Sequence, residues 1–197
     1  MRILLVEDDK DEVSVRLIDR FDHLNRMIND LMLLSKFDTS QVDLNRVPLR
    51  LDLLIKDIYD LFQTLAEQKG IGLEISALPE TLVVGDKRCL QQLFGNLIDN
   101  AIKYTREGSV RITSQRNGNR VNIKVNDTGM GISKEEQANI FMRFYRVDKS
   151  RSRDTGGTGL GLNIADSIAR AHPGRIEVES ELNRGSSFTV WVPAQKA

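Results

Sequence analysis

Residues 96–105 read NLIDNAIKYT, and the interpretation of the whole chain starts from this stretch. Asn96 and Asn100 are four positions apart, so they share one face of a helix, and Lys103 lies two turns beyond Asn96 on that face. Amide oxygens can bind Mg²⁺, and an ammonium group can contact phosphate. Polar side chains in an apolar helix need hydrogen-bond partners. A ligand could supply them, and the alternative is that both asparagines cap a neighbouring loop.

Three further stretches downstream carry polar or glycine-rich patterns. Residues 127–131, DTGMG, end a predicted strand, where a carboxylate can accept from an exocyclic amine and glycines allow close approach of a flat ligand. Residues 141–148, FMRFYRVD, combine two phenylalanines, a small apolar anchor, with two arginines that can meet phosphate. Residues 156–162, GGTGLGL, open a predicted helix, whose free N–H groups can face phosphate. Taken singly, each also fits an ordinary turn, a solvated basic loop or a flexible linker.

In this order and spacing, the four stretches resemble the N, G1, F and G2 boxes of sensor histidine kinases, which belong to the GHKL-type ATPase superfamily. The resemblance extends over about residues 51–193. It implies an α/β (α+β) fold, a two-layer sandwich with a mixed sheet on one side and helices on the other. It also implies that the domain binds ATP with Mg²⁺. Gyrase-type and chaperone-type ATPases share this fold, but an F box and a preceding heptad helix are not expected in them.

The resemblance implies a role for each matching residue. Asn100, with Asn96, would hold the Mg²⁺, Lys103 would contact phosphate and Tyr104 would pack beside the adenine. Asp127 would accept from the adenine amine. Room for the ring would be left by Gly129 and Gly131. The phosphate cradle would be formed by Gly157, Gly159, Leu160 and Gly161. Charge on the transferred γ-phosphoryl group would be stabilised by Arg143 or Arg146.

Local patterns predict elements whose order agrees with this fold. Apolar periodicity, caps and turn residues are the signals used. The predicted elements are a helix 51–69 ended by Gly70, strands 72–76 and 82–84, a helix from the N-cap Asp86 to about Tyr104, strands 109–115 and 120–127 around Asn117-Gly118, a capping box at Ser133, a helix 159–171, and strands 175–181 and 186–192.

The N-terminal quarter of the chain predicts a short strand and a long helix. Residues 1–9, MRILLVEDD, read as a strand followed by acids and resemble the first strand of response-regulator receiver domains. Residues 12–37 read as a helix with an apolar seam at heptad spacing, which needs a partner helix. The seam consists of Leu17, Phe21, Leu24, Ile28 and Leu31.

These patterns predict four segments. They are a receiver-like fragment 1–11, a helix 12–38 resembling the second dimerisation helix of the kinases, a linker 39–50 and an ATP-binding catalytic domain 51–197. The seam predicts a homodimer. The juxtaposition of a receiver-like start with a kinase-like helix predicts a fusion, a rearranged gene or a designed chimera.

The phosphoacceptor histidine of the family has no obvious counterpart. The chain has two histidines. His23 is not followed by an acidic residue, and His172 stands at a helix end, where it can bond the last carbonyls. We therefore expect phosphoryl transfer only to a histidine on another chain, if at all. The alternative is a non-enzymatic module for nucleotide binding or dimerisation.

Composition limits the other classes of function. The 28 basic and 28 acidic residues cancel, so no overall field favours nucleic acid. No apolar run approaches the ~20 residues of a membrane helix, and no signal peptide is recognisable. The single cysteine, Cys89, excludes an internal disulfide and is expected to pack in a helix. We expect a soluble, cytoplasmic protein whose partners are a second copy and a histidine-bearing or response-regulator protein.

Overall fold

The computed structural model describes residues 21, 24–39, 43–76, 78–147 and 158–195. The predicted strand near the N-terminus and Leu17 of the seam lie outside these residues. In chain order the elements are α1 (24–38), β1 (Val47–Arg50), α2 (Leu51–Gln68), β2 (Gly72–Ile75), β3 (Leu82–Gly85), α3 (Lys87–Tyr104), β4 (Ser109–Asn117), β5 (Arg120–Asp127), α4 (Lys134–Gln137), α5 (Gly161–Ala171), β6 (Arg175–Glu181) and β7 (Gly185–Pro193).

Five strands form one mixed sheet in the order β2-β4-β5-β7-β6. Strand β2 runs parallel to β4, and the other neighbours are antiparallel. Side chains alternate between two faces, as expected for a sheet covered on one side. Val121, Ile123 and Val125 of β5 are at most 1% exposed, whereas Arg111 and Gln115 of β4 are exposed. The covered face packs against the helices.

Helix α3 is the central element of the helical layer, in contact with α2, α5 and the sheet. It begins after Asp86, whose carboxylate accepts from the backbone N–H groups of Arg88 (2.9 Å) and Cys89 (3.1 Å). Its buried residues recur every three or four positions, the pattern of an amphipathic helix. They are Leu90, Leu93, Phe94, Leu97, Ile98, Ala101 and Ile102. The predicted two-layer sandwich and the predicted Asp86 cap are therefore confirmed.

Strand β1 was not predicted, since its residues fall in the stretch read as a linker. It pairs antiparallel with β3, with Pro48 opposite Val84. Proline lacks an N–H donor and argues against a strand, but it is tolerated where a strand has a partner on one side only, as β1 has. The short β1 therefore ties the segment before α2 to β3.

Two local turns differ from the sequence prediction in detail. The first hairpin turns at Gly118-Asn119, one residue later than predicted, because Asn117 pairs with Arg120. Gly118 has φ 61°, as the first central residue of a type II′ turn requires. At Ser133 the hydroxyl donates to the Glu136 carboxylate (3.1 Å) and makes no bond to the backbone of α4, so the capping box is not formed.

Helix α1 has one face on the helical layer of the sandwich and one face in solvent. Leu34 is 1% exposed, and Gln92 of α3 donates to Asp30 (3.3 Å). The seam residues lie on the other face and are 39–64% exposed. They are Phe21, Leu24, Ile28 and Leu31. Among the described residues, no helix is long and apolar enough to cross a membrane.

Candidate functional site

The C-terminal half of α3 borders two adjoining cavities. One, of about 170 Å³, lies between α3 and the end of β5 and is lined mainly by apolar side chains. These include Ala101, Met130, Ile132, Ile140, Leu162 and Phe188. The other, of about 600 Å³, is open and polar, and it extends from α3 towards the start of α5 and towards α1. Asn100, Lys103 and Tyr104 line both cavities, so the two form one continuous site.

Asp127 is the acidic group of the apolar cavity. One carboxylate oxygen, Oδ1, accepts from the backbone N–H groups of Gly129 (2.9 Å) and Ser186 (3.2 Å). Burial raises the pKa of Asp127, and the bonds from Gly129 and Ser186 oppose that rise. Because both bonds use Oδ1, the second oxygen remains to accept a hydrogen bond from a ligand in the cavity.

The glycines after Asp127 allow close approach of backbone segments. A Cβ at Gly129 would lie 2.5 Å from the carbonyl oxygen of Tyr104, and one at Gly131 would overlap the carbonyl of Glu181. Gly131 also has φ 66° and lines the apolar cavity. Gly129 and Gly131 therefore hold the loop against α3 and the β6–β7 hairpin. Because glycine has no side chain, these positions leave room for neighbouring backbone as well as for the predicted ring of a ligand.

The polar cavity is closed on one side by the start of α5. Asn96 donates from Nδ2 to the carbonyl of Gly161 (3.0 Å), which ties α3 to the first residue of α5 and leaves Oδ1 of the amide for a ligand. Thr158, Gly159 and Gly161 line this cavity. The first N–H groups of an α-helix have no intrahelical partners and attract anions. This end of α5 thus faces the predicted phosphate position.

Two residues of the predicted phosphate cradle need comment. The side chain of Leu160 is fully buried, and its N–H donates to the Thr158 hydroxyl (3.2 Å), so Leu160 supports the turn from the core side. Gly157 lies outside the described residues. Gly159 has φ 73°, and a Cβ there would lie 2.9 Å from the backbone of Phe144, so glycine is needed where this turn crosses the F-box segment.

Of the two arginines in residues 141–148, one lines the cavities and the other contacts α1. Arg146 lines both cavities and lies close enough to Lys103 and Tyr104 to influence both electrostatically. Arg143 instead forms an ion pair with Asp38 of α1 (2.5 Å) and lines neither cavity. Of the two arginines considered from the sequence, Arg146 is the one beside the site. The predicted phenylalanine anchor is partial, because Phe141 packs on the core and Phe144 is 56% exposed.

His172 is part of the packing and not of the site. It is 3% exposed, its Nδ1 lies 2.8 Å from the Ile168 carbonyl, and its Nε2 accepts from the Asp86 N–H (3.0 Å). The expected contact with the last carbonyls of a helix is present. His23 lies outside the described residues. Cys89 is half-buried, and burial raises the pKa of its thiol to about 11, as expected for a cysteine that packs.

The residues present fit a nucleotide with a divalent cation. The apolar cavity with one acceptor at its edge suits a flat base with an amine, and the polar cavity offers two amides, ammonium groups and a helix N-terminus. The described residues contain no cluster of three or more histidine, cysteine or acidic side chains. A cation here would therefore depend on the amide oxygens of Asn96 and Asn100, on water and on the phosphates themselves, since Mg²⁺ keeps several of its waters and binds substrate phosphates.

Several residues that shape the site were not found from the sequence. Lys69, at the end of α2, and Asp30, on α1, line the polar cavity, and Ser186 holds Asp127 from the neighbouring strand β7. Ile140 and Leu162 form walls of the apolar cavity. Lys69 directly precedes Gly70, which ends α2. Its positive charge at the end of a helix was the one feature of the sequence that could have indicated a role for it. The others depend on which elements become neighbours.

Comparisons with known proteins agree on one family. The model of the family described as histidine kinase-, DNA gyrase B-, and HSP90-like ATPase matches residues 85–196. The chain is 36% identical over 182 residues to the circadian input-output histidine kinase CikA of Synechococcus elongatus. This alignment covers 90% of this chain and 24% of that protein. It is 35% identical over 197 residues to the sensor-like histidine kinase SenX3 of Mycolicibacterium smegmatis, covering 97% of this chain and 51% of that protein.

A solved structure shows the same fold. Full-length ShkA in complex with AMPPNP superposes with a TM-score of 0.80 and 29% identity, covering 89% of this chain and 37% of that one. The chain thus spans about half or less of the length of these relatives.

Proposed function

The chain belongs to the histidine kinase-, DNA gyrase B- and HSP90-like ATPase family, and it contains the ATP-binding catalytic domain of sensor histidine kinases. From this premise we propose that it binds ATP with Mg²⁺ in the two adjoining cavities and donates the γ-phosphoryl group to a histidine on a separate chain. The observation that carries the proposal is the placement of Asp127 at the edge of an apolar cavity that opens directly onto Asn96, Asn100 and Lys103.

Each side chain then has a defined task. The free oxygen of Asp127 accepts from the adenine amine, which selects adenine over bases that carry a carbonyl at that position. The amide oxygens of Asn96 and Asn100 would hold Mg²⁺, which would supply positive charge to offset that of the phosphates. Lys103 and the N-terminus of α5 bind phosphate oxygens, and Arg146 supplies positive charge beside them.

Replacing Asn100 tests the binding part of the proposal. We expect Asn100→Ala to abolish Mg²⁺-dependent ATP binding measured by calorimetry while the thermal unfolding temperature is retained, because Asn100 lies at the cavity and not in the core. Asn119→Ala, in the exposed β4–β5 turn, is the matched control and should bind as the wild type does. Equal affinity of Asn100→Ala and wild type, with and without Mg²⁺, would show that the N-box assignment is wrong.

Intact-mass spectrometry tests the transfer. After incubation with Mg²⁺ and ATP we expect the chain to remain unmodified, and we expect an added histidine-bearing helical hairpin of a relative to gain an acid-labile phosphate. His172 is an unsuitable acceptor because both of its ring nitrogens are bonded inside the protein. Acid-labile phosphate on the chain itself would contradict transfer to a separate chain and would direct attention to His23.

A second candidate function is a non-enzymatic module that couples nucleotide binding to assembly. The exposed seam of α1 favours it, because Leu24, Ile28 and Leu31 form an apolar stripe in solvent. Absence of transfer to any supplied histidine, together with nucleotide-dependent self-association, would support this alternative. Steady ATP hydrolysis would instead place the chain with the gyrase-type and chaperone-type members.

A further inference from the structure

Lys69 reaches from the end of one helix to the end of the next. It is the C-cap of α2, and Gly70 with φ 70° turns the chain away behind it. Its ammonium group donates to the carbonyls of Ile102 (2.5 Å) and Lys103 (2.7 Å) in the last turn of α3. The negative end of the α3 dipole lies at these carbonyls, so a cation is favoured there.

The other carbonyls of this last turn have partners of their own. The Ala101 carbonyl accepts from the N–H of Thr105 (3.1 Å) and from its hydroxyl (2.7 Å). The Tyr104 carbonyl accepts from the N–H of Met130 (3.3 Å). Lys69 thus completes the end of α3 and fixes the turn that carries Lys103 and Tyr104.

Capping does not use the whole ammonium group. An ammonium has three N–H donors, and the two carbonyls take two of them. Lys69 also lines the polar cavity beside Asn96, Asn100 and Lys103. Arg46 offers a contrast, because it caps the end of α5 by donating to the Ala171 carbonyl (2.6 Å) but lines neither cavity.

The cavity brings like charges together. Burial lowers the pKa of Lys69, and it also lowers the pKa of Lys103, to which Lys69 and Arg146 contribute by repulsion. Asp99 acts on both lysines in the opposite direction. The basic residues of the cavity nevertheless outnumber its acidic residues, Asp30 and Asp99; they are Arg26, Lys69, Lys103 and Arg146. A bound polyanion would relieve this excess of positive charge.

We propose that Lys69 is a nucleotide-binding residue, whose third N–H donor contacts a phosphate oxygen while the other two hold the end of α3. The inference rests on the proposed function, since it needs a nucleotide in these cavities. It adds a second lysine, contributed by α2, to the phosphate-binding set formed by α3 and α5.

A series of ligands separates the phosphate contact from the cap. We expect Lys69→Met to weaken ADP binding about tenfold in calorimetry, since a hydrogen bond to a charged group is lost. Adenosine, followed by ligand-observed NMR, should bind the variant and the wild type equally, because it has no phosphate. Lys69→Arg should restore most of the ADP affinity, because it keeps the charge. Arg46→Met, the matched cap variant, should leave ADP affinity unchanged.

Other outcomes would overturn the inference in distinguishable ways. Equal losses of ADP and adenosine affinity in Lys69→Met would mean that Lys69 acts only as a cap. Unchanged ADP affinity would mean that no phosphate contact exists. In both cases, binding of ADP by the wild-type protein would still support the proposed function. Wild-type protein that binds neither ligand would contradict the proposed function and this inference with it.

Discussion

At the scale of single residues, Asp127 divides its two carboxylate oxygens between the fold and the site. Oδ1 is bonded to the N–H groups of Gly129 and Ser186, and the other oxygen is left for a ligand. An asparagine at this position can keep its carbonyl oxygen on the two N–H groups and would then present its NH₂ group to the ligand. Two donors would face each other if the ligand is adenine.

We therefore predict that Asp127→Asn weakens ATP binding by about tenfold to a hundredfold, in line with the loss of a charged hydrogen bond. Inosine triphosphate carries a carbonyl in place of the amine, so its affinity should fall less or rise. Calorimetric titration of both nucleotides against wild type and variant checks this change of preference. An unaltered ratio of the two affinities would place the base elsewhere.

His172 makes the stability of the protein depend on pH. Burial lowers its pKa below the ordinary value, because a protonated ring would be desolvated and would direct a second N–H at the Asp86 N–H. Below the ordinary pKa of about 6.5 the unfolded chain binds a proton that the folded protein excludes. The free energy of unfolding therefore falls as the pH decreases through this value and is unaffected by His172 above it.

We predict a loss of up to about 1.4 kcal/mol per pH unit from this group as the pH falls below about 6.5. His172→Gln, which cannot titrate, should start less stable at neutral pH but lose less stability on acidification. Urea denaturation of both proteins from about pH 7.5 to pH 5.5 measures the two slopes, in a range above the ordinary carboxyl pKa values. Parallel slopes would show that His172 is not the titrating group.

At the scale of elements, α1 separates two kinds of apolar contact by its two faces. Leu34 is buried against the catalytic domain, whereas Leu31, at the edge of the solvent-facing seam, is 39% exposed. We predict that Leu34→Ala releases α1, since removal of a buried leucine side chain costs about 2–5 kcal/mol. Hydrogen exchange of residues 24–38 should become faster in this variant, while β4, β5 and β7 stay protected.

Leu31→Ala is the matched control for that experiment, because the same side chain is removed from the exposed face. Its helix should exchange at the wild-type rate at concentrations where the protein is monomeric. If Leu34→Ala also removes protection from the central sheet, α1 belongs to the same cooperative unit as the catalytic domain.

The elements were largely predictable because their signals are local. The 3–4 spacing from Leu90 to Ile102 and the Asp86 cap specify α3 without reference to the rest of the chain. Strand β1 was not predicted because Pro48 argues against a strand. The pairing of β1 with β3 is a tertiary contact that the local sequence does not indicate. The helix 12–37 was interpreted from its seam. Its second face was not recognised, since the bond from Gln92 of α3 to Asp30 on that face spans 62 positions.

The site was predictable in its composition but not in its connections. The motif residues Asn96, Asn100, Lys103 and Asp127 border the cavities, while their contacts with a nucleotide stay predictions. The bond from Asn96 to Gly161 and the contacts of Lys69 join parts of the chain whose proximity follows from the packing of three helices. No spacing in the sequence encodes such pairs.

At the scale of the whole molecule, the exposed seam predicts self-association. The stripe is formed by Phe21, Leu24, Ile28 and Leu31, which are 39–64% exposed along one helix, and exposed apolar patches commonly mark association surfaces. We predict a dimer at tens of micromolar in sedimentation equilibrium, and a monomer for Ile28→Lys, because a charge cannot be buried between two helices. Nucleotide affinity should be unchanged in this variant.

Asn29→Lys adds the same charge at the next, exposed position, outside the seam, and should remain dimeric. A wild-type chain that stays monomeric over this range would show that the seam is not a self-association surface. The nucleotide-coupled assembly function would then lose its main support.

The bond between Asp127 and Ser186 spans 59 positions, and it has a consequence for biosynthesis. Strands β4 and β5 leave the ribosome well before β7, which must pair along β5 before Asp127 gains its second N–H partner. Gly131 likewise rests on the β6–β7 hairpin. A nascent chain halted before residue 185 would already carry the N, G1, F and G2 boxes, yet its apolar cavity would lack the wall formed by Ser186 and Phe188. The protein thus becomes competent to hold a nucleotide only when its last strand has been made.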